Sequence, residues 1–144
     1  MKKLHYLLIV LLLGMPGISC RSTSPTQSES TSDIRGKHWN LYQYSGADMV
    51  IHSSVDSGIF SFYLSPTFDT IGGVSRCNSF GGLYLLAGND LTVPSMITSL
   101  VACPLTEQFE EAIQKATIIA ADSSSLTLQS QQATMQTLWF KVTD

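Results

Sequence analysis

Cysteine and histidine are the side chains here best suited to chemistry, and the sequence holds three of each. Cys20, Cys77 and Cys103 stand far apart, with no Cys-x-x-Cys or His-x-x-x-His pair on which a zinc site could be built. A Cys–His hydrolase would need His38 or His52 to converge on a thiol with an orienting amide, for which Asn78 is the candidate. No basic cluster adjoins Cys77 or Cys103 to lower a thiol pKa. Gly73-Val74-Ser75-Arg76-Cys77 misses the nucleophile-elbow pattern because its fifth position is not glycine. Gly72, Gly73, Gly81 and Gly82 surround the cysteine in the manner of a glycine-rich phosphate loop. No Gly-Lys-Ser/Thr follows and no helix starts there, so they read as bend and bulge positions of a curling sheet. Asp48, Asp56 and Asp69 sit by apparent turns, where aspartate bonds nearby backbone. The sequence therefore predicts a non-enzyme, with no catalytic residue, no cofactor and no metal.

Charge excludes further classes. Apolar residues make up 44% of the 144-residue chain and charged ones only 13%, too few for a coiled coil or a highly charged disordered chain. The net charge is −3, and loss of Lys2 and Lys3 with a leader would leave six basic against eleven acidic residues, or −5. Such a surface offers nucleic acid no counterion release, so no nucleic-acid partner is expected.

That leader is residues 1–19. Met1-Lys2-Lys3 is a basic head, Tyr6 to Leu13 an apolar run, and small residues lead to Cys20. The run is far shorter than the roughly 20 apolar residues of a spanning helix. The exit, Gly17-Ile18-Ser19-Cys20, resembles a bacterial lipobox, in which the cysteine becomes the lipidated first residue. Cys20 is thus the expected lipid attachment, and the membrane the expected partner of the N-terminus. Residues 20–33 are almost all Ser, Thr, Gln and Pro, unable to bury enough surface to offset ordering, and read as a flexible tether. Arg21-Ser22 lacks the aspartate that retains some lipoproteins in the inner membrane. The expected location is therefore the outer membrane, with residues 34–144 as a domain facing the periplasm.

Within that domain the hydrophobic pattern has mostly period two, as in half-buried strands. Residues 38–44, 59–64, 68–74, 83–86 and 91–93 predict strands, with Ala87-Gly88-Asn89-Asp90 as a hairpin turn. Residues 125–129 and 134–142 predict a closing pair. One stretch differs: Phe109, Ala112, Ile113 and Ala116 follow the i, i+3, i+4, i+7 spacing of one helix face. Thr106 is its expected N-cap, and Glu111–Lys115 a favourable i, i+4 pair. No βαβ alternation occurs. The expected fold is mainly β (α+β): a bent antiparallel sheet or small open barrel with one amphipathic helix over a face or end. Trp39, Tyr42, Tyr44, Phe60, Phe62, Phe68, Phe80, Tyr84, Trp139 and Phe140 are core candidates, and some could line a groove or barrel mouth. With Cys20 committed to lipid, Cys77 and Cys103 are left either as a disulfide in an oxidising compartment or as two buried thiols.

Trp39, Gly73, Cys77, Asn78, Gly82 and Tyr84, followed by Ala102-Cys103 and the Phe109 helix, resemble the META domain, the HslJ-like family of bacterial proteins. The likeness spans about residues 36 to 142. Arg76 stands where relatives often have glycine, and no arginine occurs between Ile97 and Cys103, where relatives often carry one. The resemblance implies a lipocalin-like, mainly β fold with one helix, an envelope location, links to heat shock, stress or antibiotic tolerance, and no established catalysis. The expected partner is an unknown envelope protein bound at a sheet edge or apolar groove. The alternative is a lipid or small hydrophobic ligand held in an enclosed cavity.

Overall fold

Alternation along the strands closes a ring. The computed structural model describes residues 34–53, 58–131 and 134–143. In chain order its elements are β1 (His38–Gly46), β2 (Ile51–Ser53), β3 (Phe60–Leu64), β4 (Thr70–Ser75), β5 (Asn78–Ala87), β6 (Asp90–Thr98), α1 (Thr106–Gln114), β7 (Lys115–Ala121), β8 (Ser125–Ser130) and β9 (Met135–Val142). All pairings are antiparallel, and β9 returns to β1 from Trp39↔Val142 to Gly46↔Met135. Eight strands thus form a closed barrel, while the short β2 pairs only with the C-terminal half of β1. The curled sheet expected from the sequence is a barrel, and its ring is shut rather than open.

An eight-stranded barrel is just wide enough for side chains to fill. Trp39, Phe62, Leu64, Tyr84, Leu128 and Phe140 point inward and are at most 1% exposed. The helix contributes Phe109, whose ring lies 5.1 Å from Phe60, 6.1 Å from Phe80 and 6.4 Å from Phe140. Phe62 meets Phe140 edge-on at 5.0 Å, the offset geometry that aromatic quadrupoles favour. The aromatic residues singled out from the sequence therefore divide. Trp39, Phe60, Phe62, Phe80, Tyr84 and Phe140 are core, whereas Tyr42, Tyr44 and Trp139 are half-buried and Phe68 is exposed. Phe68 belongs to the turn before β4, where the Ser65 hydroxyl accepts the amides of Thr67 and Phe68.

The helix begins and ends differently from expectation. Its N-cap is Leu105, in the left-handed region at φ 69°, with no side-chain capping bond. Thr106 is the first helical residue, and its hydroxyl donates to the Ser75 carbonyl at 2.9 Å, tying α1 to β4 instead of capping it. Lys115 is already extended and opens β7, so it cannot reach Glu111 across a helical turn. The β-branched run Thr117-Ile118-Ile119 accounts for that switch to strand.

Two glycines allow layers of the barrel to touch. A Cβ on Gly73 would collide with the Phe80 ring and the Ser61 carbonyl, and one on Gly82 with the Ser95 carbonyl. The register of β5 on β6 shifts between Leu83 and Leu85, just after Gly82, giving the bulge expected of this region. Gly73→Ala is expected to lose about 1–3 kcal/mol of unfolding free energy by overpacking. Gly72→Ala, one residue along with its nearest neighbour at 3.9 Å, should stay within about 1 kcal/mol of the parent; paired urea melts check both.

The β7–β8 hairpin is closed by Asp122. Its carboxylate accepts the hydroxyl of Ser125 at 2.5 Å and the amides of Ser124 and Ser125, each at 2.7 Å. The Ser125 hydroxyl, then those amides, hold its pKa well below the usual carboxylate range. A depressed folded pKa contributes stability that is complete above the unfolded value and drains away as pH falls toward the folded one. In a carboxyl-carbon NMR titration, Asp122 is expected to stay ionised as pH falls below the usual carboxylate range. Asp122→Asn should flatten the hairpin's amide-exchange response to acid across the same window.

Candidate functional site

Family-motif residues and a deep carboxylate meet at one end of the barrel. The strands β4 and β5 are joined there by the turn Arg76–Cys77, with Arg76 left-handed at φ 63°. Asn78, 5% exposed, opens β5. Its side-chain oxygen accepts the Val101 amide at 2.9 Å and the Ser99 hydroxyl at 3.3 Å. Ser99 and Ser79 exchange two further bonds, Ser99 N to the Ser79 carbonyl and Ser79 N to the Ser99 hydroxyl, both 3.1 Å. Cys77 is disulfide-bonded to Cys103, with Cα atoms 6.4 Å apart, a span that a disulfide bridges without backbone movement. The segment 99–105 between β6 and α1 is therefore pinned in its middle and near its end. A buried asparagine spends its acceptor on backbone that has no strand or helix partner of its own.

Beneath this segment lies Glu110, only 8% exposed. Its Oε1 accepts the Ser75 hydroxyl and, at 2.9 Å, the Thr98 hydroxyl. The disulfide, the pinned segment and the helix together enclose an open groove of about 720 Å³. It is lined by Asn78, Thr98, Leu100, Val101, Ala102, Cys103, Pro104, Thr106, Glu107 and Glu110. Its charged lining residues are both acidic, and its rim is apolar. Leu100 is 94% and Val101 54% exposed. Such an arrangement can bind; its sulfurs are bonded to each other and offer no nucleophile.

The remaining motif residues work elsewhere. Trp39 donates its indole N–H to the Ile34 carbonyl at 2.8 Å, fastening the start of the domain. The Tyr84 hydroxyl donates to the Ser65 carbonyl at 3.2 Å, and the Arg35 guanidinium stands 5.6 Å from the Tyr84 ring. These contacts lie at the barrel end opposite the groove, where β1 begins and β3 ends. His38 stacks on Tyr63 at 4.8 Å and His52 on Tyr44 at 4.9 Å, so neither joins Asn78 and the cysteines. Asp48 accepts the Val50 amide at 3.1 Å, as a turn aspartate does. Cys20, Asp56 and the expected leader and tether lie outside the described residues.

Sequence reasoning missed Glu110, Ser75, Thr98 and Leu100 as parts of a site. Glu110 had a legible signal. Thr106, Phe109, Glu110 and Ile113 share one i, i+3, i+4, i+7 stripe, so the carboxylate falls on the face turned to the core. Ser75 and Thr98 carried none, since hydroxyls on strands are ordinary until a carboxylate stands between them.

The chain is thus a small closed β-barrel, plugged by one helix and braced by a rim disulfide, an architecture that fits a ligand-binding role. The META domain family model matches residues 32–141, and the chain belongs to that family. Its fold is similar to an NMR structure of a protein from Burkholderia xenovorans, 16% identical with a TM-score of 0.62, covering 90% of this chain and 98% of that one. A second NMR structure, 21% identical with a TM-score of 0.56, covers 78% of this chain and 95% of its own. The comparison with curated proteins finds no match.

Replacing Cys77 and Cys103 by serine together opens a cross-link of sequence separation 26 and is expected to lower unfolding free energy by about 3–4 kcal/mol. Hydrogen exchange should accelerate chiefly across residues 99–105, where the disulfide and Asn78 share the restraint.

Proposed function

We propose that this protein is a non-enzymatic envelope lipoprotein, lipid-anchored at Cys20 in the outer membrane. Its META domain faces the periplasm and binds a partner polypeptide at the groove between residues 99–105 and α1. The resemblance to HslJ-like proteins supports a role in stress or antibiotic tolerance. The observation carrying the binding reading is the pairing of a rigidly held loop with an outward Leu100. Exposing that leucine on a segment braced by a disulfide and Asn78 has no benefit to the barrel's own core, and such patches mark interaction sites. Barrel closure favours the groove over a sheet edge. Among the described residues, free strand edge remains at β2, at the part of β6 beyond Thr92 and at the part of β7 beyond Ile118, all short. Packing favours it over the enclosed lipid cavity considered from sequence, because Phe62, Phe109 and Phe140 occupy the barrel axis.

A photo-crosslinking residue placed at Leu100 in intact cells is expected to trap one discrete adduct in the membrane fraction. The same residue at the exposed Gln129 should give none. Val101→Asp should abolish the adduct, and Cys20→Ser should release the protein from membranes. Equal trapping at Leu100 and Gln129 would refute the groove; unchanged fractionation of Cys20→Ser would refute the anchor.

A further inference from the structure

The carboxylate of Glu110 is only half engaged. A carboxylate offers about four lone-pair sites, and the two donors it meets, from Ser75 and Thr98, both fall on Oε1. The side chain is 92% buried, the complement of its 8% exposure, and it lines the groove. Among the described residues no lysine or arginine pairs with it. Its helical neighbours Glu107 and Glu111 repeat its sign, Lys115 has passed into β7 beside Thr92, and Arg76 is exposed in its turn. The second oxygen of Glu110 opens to the groove, where a pre-fixed carboxylate is a ready acceptor for a cation arriving from outside.

Resting on the partner-binding reading above, we propose that the groove selects a polypeptide segment carrying lysine or arginine between apolar residues. The cationic head enters to Oε2 of Glu110, and its apolar neighbours lie on Leu100, Val101 and Pro104. Charge complementarity argues for this occupant, since the lining charges are acidic and the rim is apolar. The hydroxyls of Ser75 and Thr98 fix the carboxylate in advance, so little ordering accompanies binding. A charge-assisted bond in this setting is stronger than a neutral one.

The test measures fluorescence anisotropy of labelled peptides with the detergent-solubilised full-length protein. The peptides are Leu-Leu-Lys-Leu-Leu and its counterparts with norleucine or glutamate at the centre. The wild-type protein is expected to bind the lysine peptide ~10-fold more tightly than the norleucine peptide, and the glutamate peptide least. Glu110→Gln should bring lysine and norleucine within about twofold, whereas Glu111→Gln, outside the groove, should keep the preference. Should Glu110→Gln fail to fold, the wild-type ordering of the three peptides decides. Equal binding of the lysine and norleucine peptides overturns the proposal, as does a preference surviving Glu110→Gln or no peptide binding. Binding of hexylammonium without binding of any of the three peptides would overturn the polypeptide occupant in favour of a small organic cation. A Leu100 adduct in cells without lysine preference in vitro sinks this inference alone. Lysine preference without an adduct sinks the cellular partner reading instead.

Discussion

Pairing of the last strand with the first is the constraint from which the other features of this domain follow. Once β9 runs along β1 from Val142 to Met135, two long sheet edges vanish and with them the aggregation hazard of an open sheet. Closure also creates an inside and an outside, so alternate residues of each strand must fill a fixed volume. The fill is aromatic at its centre, where Phe62, Phe109 and Phe140 meet at offset angles. Gly73 is the complement of that fill, because the Phe80 ring occupies the space a Cβ would take.

Strand β6 is longer than its contact with β7, which ends at Thr92 and leaves the remainder to the helix. A helix set against such a gap brings hydrophobic residues inward and, with them, whatever polar side chain shares their stripe. Here that is Glu110. Its tolerance depends on hydroxyls from two strands, one of which, Ser75, also offers its carbonyl to Thr106. The same few atoms therefore seat the helix, satisfy half of a carboxylate and form the groove floor. Above them, Asn78 and the disulfide hold 99–105 in an irregular course that no repeating pattern would support.

The motif that marks the family thus has two jobs at two ends. Asn78, Ala102 and Cys103 line the groove and Cys77 tethers Cys103, while Trp39 and Tyr84 fasten the entry of the chain and the turn before β4. The apolar rim beside a deep acid is a feature of the first end.

Period-two alternation in residues 38–44, 59–64 and 125–129 was enough to read the strands, because each has one inward face. The Phe109 stripe was enough to read the helix for the same reason, and glycines around Cys77 marked where the sheet bends. β7 was not legible, since Ala116 continues the helical spacing while the chain has already turned to β-branched strand. Nor could local pattern decide that β9 closes on β1, that Thr106 bonds to Ser75 instead of its own helix, or that Glu110 has no basic partner among the described residues. Those outcomes depend on groups distant in the chain, and only the closed barrel brings them within hydrogen-bonding distance. Composition and periodicity determined which residues turn inward; tertiary packing decided which of the inward polar groups found partners and which one faces a groove.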